Sequence, residues 1–200
     1  SSAKVLVLGA NGMLGKMVSL YLDSVTDLVV DVTSRSENDF ILKNFAERYY
    51  IFDSNKQDEH PLEEITNVCD YDYIVNCIGI IKPKINDNDI ESIANTILIN
   101  SYFPLEIHKS ALKNDINYIQ IGTDCVFSGL DGEYTEDSFK DAVDLYGKSK
   151  IVGEIEGNNK IIIRSSIIGP EEGIGFSLMN WFLNNKELVV SGYKNHMWNG

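Results

Sequence analysis

The chain has 200 residues, 44% of them hydrophobic and 24% charged, a globular composition that sets aside disordered, collagenous and coiled-coil readings. Its 30 acidic residues outnumber 17 basic ones, for a net charge of −13. That balance argues against nucleic acid or an anionic membrane as the main partner, because phosphate contacts need clustered Lys and Arg, and no window holds the roughly 18 uninterrupted apolar residues of a membrane helix.

Short apolar runs alternate with helical patterns along the chain. Lys4-Val5-Leu6-Val7-Leu8 reads as a buried strand that stops at Gly9. Met13, Leu14, Met17, Val18, Tyr21, Leu22 and Val25 then fall on one helix face. Leu28 to Val32 is a second strand, Tyr50-Ile51-Phe52 a third, and Tyr73 to Ile78 a fourth that runs into Gly79. A helical stretch from about Ile90 to Leu112 carries a break signal at Tyr102-Phe103-Pro104. Tyr118 to Ile121 and Lys160 to Ile163 are the fifth and sixth strands, with a helix from about Leu145 to Ile155 between them. Further on, Gly169 to Gly175 reads as a loop, Phe176 to Leu183 as a short helix and Leu188 to Val190 as one more strand. Continuous rather than alternating apolar strands, spaced by helices, predict an α/β protein with a doubly wound parallel sheet covered on both faces.

Gly9-Ala10-Asn11-Gly12-Met13-Leu14-Gly15 is G-x-x-G-x-x-G between the first strand and the first helix. The first glycine permits a tight turn and the second lets backbone approach a pyrophosphate. The third lets helix and strand pack closely. The helix N-terminus then faces the phosphates. This points to a dinucleotide. An NAD-preferring site would place an acidic residue about 20 residues past the last glycine, where this chain has Thr33-Ser34-Arg35. A hydroxyl beside a guanidinium suits a 2′-phosphate, so NADP(H) is favoured. NAD(H) is the alternative, should Asp31 lie nearer the strand end than expected.

Tyr146-Gly147-Lys148-Ser149-Lys150 contains Y-x-x-x-K. On a helix, phenol and ammonium at i and i+4 share one face, and an ammonium beside a phenol is expected to lower its pKa from about 10 toward neutrality. Such a tyrosine trades protons with a carbonyl or alcohol oxygen. Thr123, after the fifth strand, stands where ligands of open α/β sheets lie and could orient that oxygen. The three histidines, His60, His108 and His196, are far apart, so no metal site is expected. Cys69, Cys77 and Cys125 form no C-x-x-C, which fits reduced thiols in the cytoplasm.

The glycine turn, Asn76-Cys77-Ile78-Gly79, Thr123-Asp124-Cys125-Val126-Phe127, Tyr146 to Lys150 with Gly153-Glu154, and Arg164-Ser165-Ser166-Ile167-Ile168-Gly169 occur in order. Together they resemble the extended short-chain dehydrogenase/reductase superfamily, and within it the dTDP-4-dehydrorhamnose reductase branch of sugar-nucleotide reductases. That branch's S-T-D-x-V-F-x-G is matched except that Gly122 replaces the first Ser. The resemblance implies a Rossmann fold, with an NADP(H)-binding domain over residues 1–169 and the beginning of a small substrate lobe, cut short, over 170–200.

By the same resemblance Tyr146 is the general acid, Lys150 its partner and binder of the nicotinamide ribose, and Thr123 the donor to the substrate oxygen. Gly9, Asn11, Gly12, Met13 and Leu14 line the pyrophosphate, Ser34 and Arg35 the 2′-phosphate, and Asp53 the adenine. Cys77, Ile78 and Gly79 meet the adenosine ribose and diphosphate, and Ser165, Ser166 and Ile167 flank the nicotinamide. Asp124, Cys125, Val126 and Phe127 join Thr123 toward the substrate.

The implied activity is NADP(H)-dependent reduction of a keto group on a nucleotide-activated deoxysugar, in polysaccharide precursor synthesis. A sugar-nucleotide epimerase or dehydratase with tightly held NAD, and a non-catalytic dinucleotide-binding regulatory subunit, are the alternatives. Relatives often form homodimers through helices flanking the sheet. The chain departs from the family in Phe139 to Asp144, where a Pro-rich stretch is usual, and in Gly192 to Trp198, which does not match D-Q-x-x-x-P-T.

Overall fold

The computed structural model describes residues 2–25, 27–169, 177–186 and 189. Six parallel strands form one sheet: β1 (Ala3–Leu8), β2 (Leu28–Ser34), β3 (Tyr49–Ile51), β4 (Tyr73–Asn76), β5 (Asn117–Gly122) and β6 (Lys160–Arg164). Their spatial order is β3-β2-β1-β4-β5-β6, so the connection direction reverses between β1 and β4, the switch point at which such sheets open a crevice. Leu8 pairs with Asn76 there, and Gly122 pairs with Arg164 at the far edge.

Successive side chains of a strand point to opposite faces, and both faces are covered over most of the sheet. Leu6, Leu8, Ile74 and Tyr118 pack on one side against Ile65 of α3 (Glu63–Thr66) and against Phe103 and Ile107 of α5 (Phe103–Lys113). Val5, Val7, Val30 and Val32 pack on the other against α1 (Met13–Ser24) and α2 (Asp39–Phe45). Two-sided burial is why these strands are apolar without alternation. The expected cover is incomplete at the β6 edge, where Ile161 is 58% exposed and Ile163 47%.

The buried face of α1 differs from the expected one. Gly15 and Ser19 are buried, whereas Met17 and Tyr21 are exposed. A side chain at Gly15 would begin 2.0 Å from the Gly9 carbonyl oxygen, so the helix seats closely there; Val18 and Leu22 of the expected face still pack on the core, while Met17, Tyr21 and Val25 turn outward. The stretch from Ile90 to Lys113 is continuous. Between α4 (Ile90–Ile97) and α5, residues Leu98–Tyr102 form a π turn closed by Phe103 N–H donating to the Leu98 carbonyl. The wider turn absorbs Pro104, which has no N–H to give.

Helix α6 (Leu145–Gly153) starts at Asp144, whose carboxylate accepts from Gly147 N–H at 2.8 Å. Helix α7 (Leu178–Asn184) overlaps the short helix expected over Phe176 to Leu183 and runs one residue past it. The expected loop beyond Gly169, most of the expected strand at Leu188 to Val190 and the Gly192 to Trp198 segment lie outside the described residues.

Candidate active site

A cleft of about 930 Å³ runs along the carboxyl ends of β1, β2 and β4. Of the residues expected to bind a dinucleotide, Gly9, Asn11, Gly12, Met13, Ser34, Arg35, Cys77, Ile78 and Gly79 line it. Gly9 has φ +82° and a side chain there would strike Ile78. The fold itself therefore requires Gly9 and Gly15. Gly12 is different: its φ is −71° and the nearest atom to an added Cβ is 3.7 Å away. Nothing in the protein demands glycine at that point, and its bare surface faces the cleft. The N-terminus of α1 behind it has no side-chain cap, so its N–H groups are left for whatever enters. Lys16, Arg35 and Lys84 also line the cleft, giving this acidic chain a locally cationic trough.

The β2 end is wired to the glycine turn. Thr33 Oγ1 accepts from Gly9 N–H at 3.1 Å, and Asn11 Nδ2 donates to Ser34 Oγ at 2.9 Å. Ser34 is nearly buried and donates to the Ser36 carbonyl at 2.6 Å, which leaves Arg35 as the exposed group of the pair. Because β2 extends to Ser34, Asp31 lies three residues inside the strand and accepts from the Tyr71 hydroxyl at 2.6 Å. Asp53 does not line the cleft. Its carboxylate accepts from Asn55 N–H at 3.0 Å, and its neighbours Phe52, Ser54 and Asn55 form the wall instead. Leu14 is half-buried and also stands off the cleft.

The remaining groups gather beyond Gly79. Thr123 follows β5, and its Oγ1 accepts from Cys125 N–H at 3.2 Å, shaping the short helical turn Asp124–Val126. Helix α6 presses against that turn without a side chain at Gly147, where a Cβ would lie 2.6 Å from the Cys125 carbonyl oxygen. This close approach brings Tyr146 near enough to Thr123 for the hydroxyl to pull the phenol pKa downward. Lys150, one turn further on, is 9% exposed and forms no ion pair among the described residues. Its ammonium sits 3.2 Å from where a Cβ on Gly79 would be, at the end of the cleft.

The proton affinities depart from expectation. Burial pushes the Tyr146 phenol up to about 12; hydrogen bonding with Thr123 opposes the rise, while Cys125, Asp124 and Asp144 add to it. Lys150 is held below the ordinary lysine range by burial, against the pull of Glu154, Cys125 and Cys77. Burial dominates at the phenol, so the expected lowering by Lys150 does not occur. Burial also takes the Cys77 thiol up to about 12, with Lys150 opposing.

Asp124 joins two strand ends, with Oδ1 accepting from the Thr123 hydroxyl at 3.4 Å and Oδ2 accepting from the Ser166 hydroxyl. The Ser165 to Ile167 segment is thereby held beside Thr123 although it does not line the cleft. Val126 is fully buried and offers no surface to a substrate. Phe127 stacks on Tyr134 with ring centroids 4.6 Å apart, and the Arg164 guanidinium lies over Phe127. Cys125 is exposed.

One supporting residue was missed in the sequence. Asn100, in the π turn, is 2% exposed and bonds both backbone groups of Ile80, and its Nδ2 also reaches Ser149 Oγ at 3.2 Å. Its signal in the sequence is an amide directly after the apolar run Ile97-Leu98-Ile99.

Residues 3–189 match the family described as RmlD substrate binding domain. No curated protein matches the chain. Among solved structures, it is similar to a hypothetical dTDP-4-dehydrorhamnose reductase from Sulfolobus tokodaii (25% identity, TM-score 0.68, 86% of this chain and 58% of that one). It shares its fold with a dTDP-4-dehydrorhamnose reductase from Bacillus anthracis in complex with NADP (20%, TM-score 0.66, 82% and 53%). The same holds for the enzyme WbmG from Bordetella bronchiseptica in complex with NAD and UDP (16%, TM-score 0.70, 88% and 57%). The chain thus spans somewhat over half the length of these proteins. With its sheet order, glycine turn and strand-end motifs, it belongs to the RmlD substrate binding domain family, on the dTDP-4-dehydrorhamnose reductase branch of the extended short-chain dehydrogenase/reductases.

Proposed function

We propose that residues 1–169 form the dinucleotide-binding domain, and that residues 170–200 belong to a substrate lobe, of an NADP(H)-dependent reductase. Its substrate is a keto group on a nucleotide-activated deoxysugar, in the supply of polysaccharide precursors. Three free cysteines fit a reducing, cytoplasmic setting. The observation that carries the reading is the close seating of α6 on the turn after Thr123, with the Lys150 ammonium buried against Gly79, at the end of a cleft whose glycine at position 12 the fold does not itself need.

The residues present fit a nicotinamide dinucleotide. Gly12 and Met13 at the α1 N-terminus take the diphosphate, Arg35 a 2′-phosphate, and Cys77 to Gly79 the middle of the molecule. When bound, the nicotinamide supplies hydride to the carbonyl carbon. The chain's own part is to hold the carbonyl oxygen between the Thr123 hydroxyl and the Tyr146 phenol and to give that oxygen a proton. A phenol with pKa about 12 keeps its proton near neutral pH, which is the form that donates to a carbonyl. Lys150 steadies the ribose side of the dinucleotide.

The test is NADPH oxidation by the full-length protein with a panel of dTDP-4-keto-6-deoxysugars. Turnover on at least one sugar, falling about 100-fold or more in Tyr146→Phe, is expected. No oxidation with any sugar, or a Tyr146→Phe variant of wild-type rate, overturns the reading. NAD retained by the purified protein, with no net redox change, marks an epimerase instead.

A further inference from the structure

Three segments meet at the reactive end of the cleft: the one after β4, the one after β5 and the start of α6. Between β5 and α6 the seam is closed by backbone, with Ala142 N–H donating to the Val126 carbonyl at 3.1 Å and Gly147 packed on Cys125. Between β4 and α6 the outer seam is closed by charge. The chain after β4 lines the cleft from Cys77 to Ile80, passes through the short helical turn Lys82–Lys84 and brings Lys84 back to the cleft wall. Pro83 stiffens that turn. Lys82, at its start, forms an ion pair with Asp144 Oδ2. The other oxygen of the same carboxylate, Oδ1, accepts from Gly147 N–H at 2.8 Å and caps α6. One carboxylate thus holds the cleft wall with one oxygen and the first turn of the Tyr146 helix with the other.

We propose that Lys82 is a positioning residue for Tyr146: through Asp144 it ties the segment that walls the cleft to the first turn of α6, and so fixes the phenol relative to what the cleft holds. The inference rests on the reading of Tyr146 as the proton donor. Burial pulls the Asp144 carboxyl up, but the Lys82 ammonium and the Gly147 N–H outweigh it and hold it below the ordinary carboxylate range, and Asp144 in turn raises Lys82. Both stay charged near neutral pH. The Lys82 side chain is 69% exposed, so the pair adds little to global stability. Its effect is local, because it denies an exposed turn and a capping carboxylate their independent motion. Tyr146 lies two residues beyond the cap, and a reacting group misplaced by about 1 Å can cost about a hundredfold in rate.

Amide exchange in the full chain without cofactor reads the tie from both ends. Lys82→Met is expected to speed exchange of the Gly147 amide about fivefold or more. Asp144→Asn keeps a capping side chain and removes the charge. It is expected to speed the Ile85 amide, which donates to the Lys82 carbonyl at 3.1 Å, by about as much. Lys82→Arg keeps both slow. Salt at about 1 M, where the screening length is about 3 Å, is expected to speed both amides in the wild type and to add nothing in Lys82→Met. Rates unmoved by the substitutions, or the same response to salt with and without Lys82, overturn the proposal. In the active enzyme Lys82→Met is expected to lower kcat about tenfold while the Michaelis constant for NADPH moves less than about twofold, since Asn100 still holds Ile80; an unchanged kcat also overturns it. Both exchange effects in a protein that reduces no sugar nucleotide sink the reductase reading alone, and unmoved amides in an active reductase sink this one alone.

Discussion

Asn100 holds Ile80 by both of its backbone groups: Oδ1 accepts from the Ile80 N–H at 2.8 Å and Nδ2 donates to the Ile80 carbonyl at 3.0 Å. The segment after β4, which walls the cleft at Gly79 and meets the Lys150 ammonium, is thus pinned from the π turn. Asn100→Ala leaves a donor and an acceptor with no partner, at a cost of about 2–3 kcal/mol. Urea melts check the stability. The Michaelis constant for NADPH is expected to rise as the Cys77 to Gly79 wall loosens.

Two glycines of the same turn separate folding from binding. Gly15→Ala places a Cβ 2.0 Å from the Gly9 oxygen, a backbone clash expected to cost more than about 3 kcal/mol. Gly12→Ala meets nothing closer than 3.7 Å and should cost about 1 kcal/mol or less. Its dinucleotide affinity should nonetheless drop by about tenfold or more, because the methyl stands where backbone meets phosphate. Thermal melts alongside NADPH fluorescence titrations measure both. A Gly12→Ala protein that binds normally would remove the cleft from the account.

Lys150 trades stability for function, and the sign follows from its surroundings. Burial depresses its folded-state pKa below 10.5, so the native state releases this proton before the unfolded chain does. Stability then increases as pH climbs through the folded midpoint toward 10.5, and on the acid side it is reduced by the cost of burying an ammonium. Lys150→Met is expected to raise the melting temperature by a few degrees near neutral pH, to flatten that alkaline rise, and to abolish turnover. Melts from about pH 7 to pH 11 read the first two effects.

The proposed preference for NADP(H) rests on Arg35. It lines the cleft at the end of β2, while Asp31 is committed to Tyr71 and Ser34 to Ser36. Losing one charge-assisted contact to a phosphate is worth about 1.5–3 kcal/mol. Arg35→Ala should therefore weaken NADPH about 10-fold to 100-fold and leave NADH nearly unchanged. Equal losses for both would assign Arg35 to the shared diphosphate.

The amino-acid sequence alone determined whatever local periodicity can express. Apolar runs such as Val5 to Leu8, buried on both faces, announced parallel strands, and the glycines at 9, 12 and 15 announced the turn. The four-residue spacing of Tyr146 and Lys150 put both on one helix face. The two short helices α2 and α3 carry seven and four residues, too few for a repeating pattern to stand out.

Tertiary structure decided what depends on approach from elsewhere. Asn100 meets Ile80 across 20 residues and Glu154 meets Thr123 across 31, and no spacing rule links such pairs. The face that α1 buries follows from how close Gly15 lets it come. The proton affinity of Tyr146 follows from burial and from which groups flank it, so the adjacent lysine in the motif gave the wrong sign. Desolvation and hydrogen bonding are properties of a packed neighbourhood, and a chain acquires that neighbourhood only on folding.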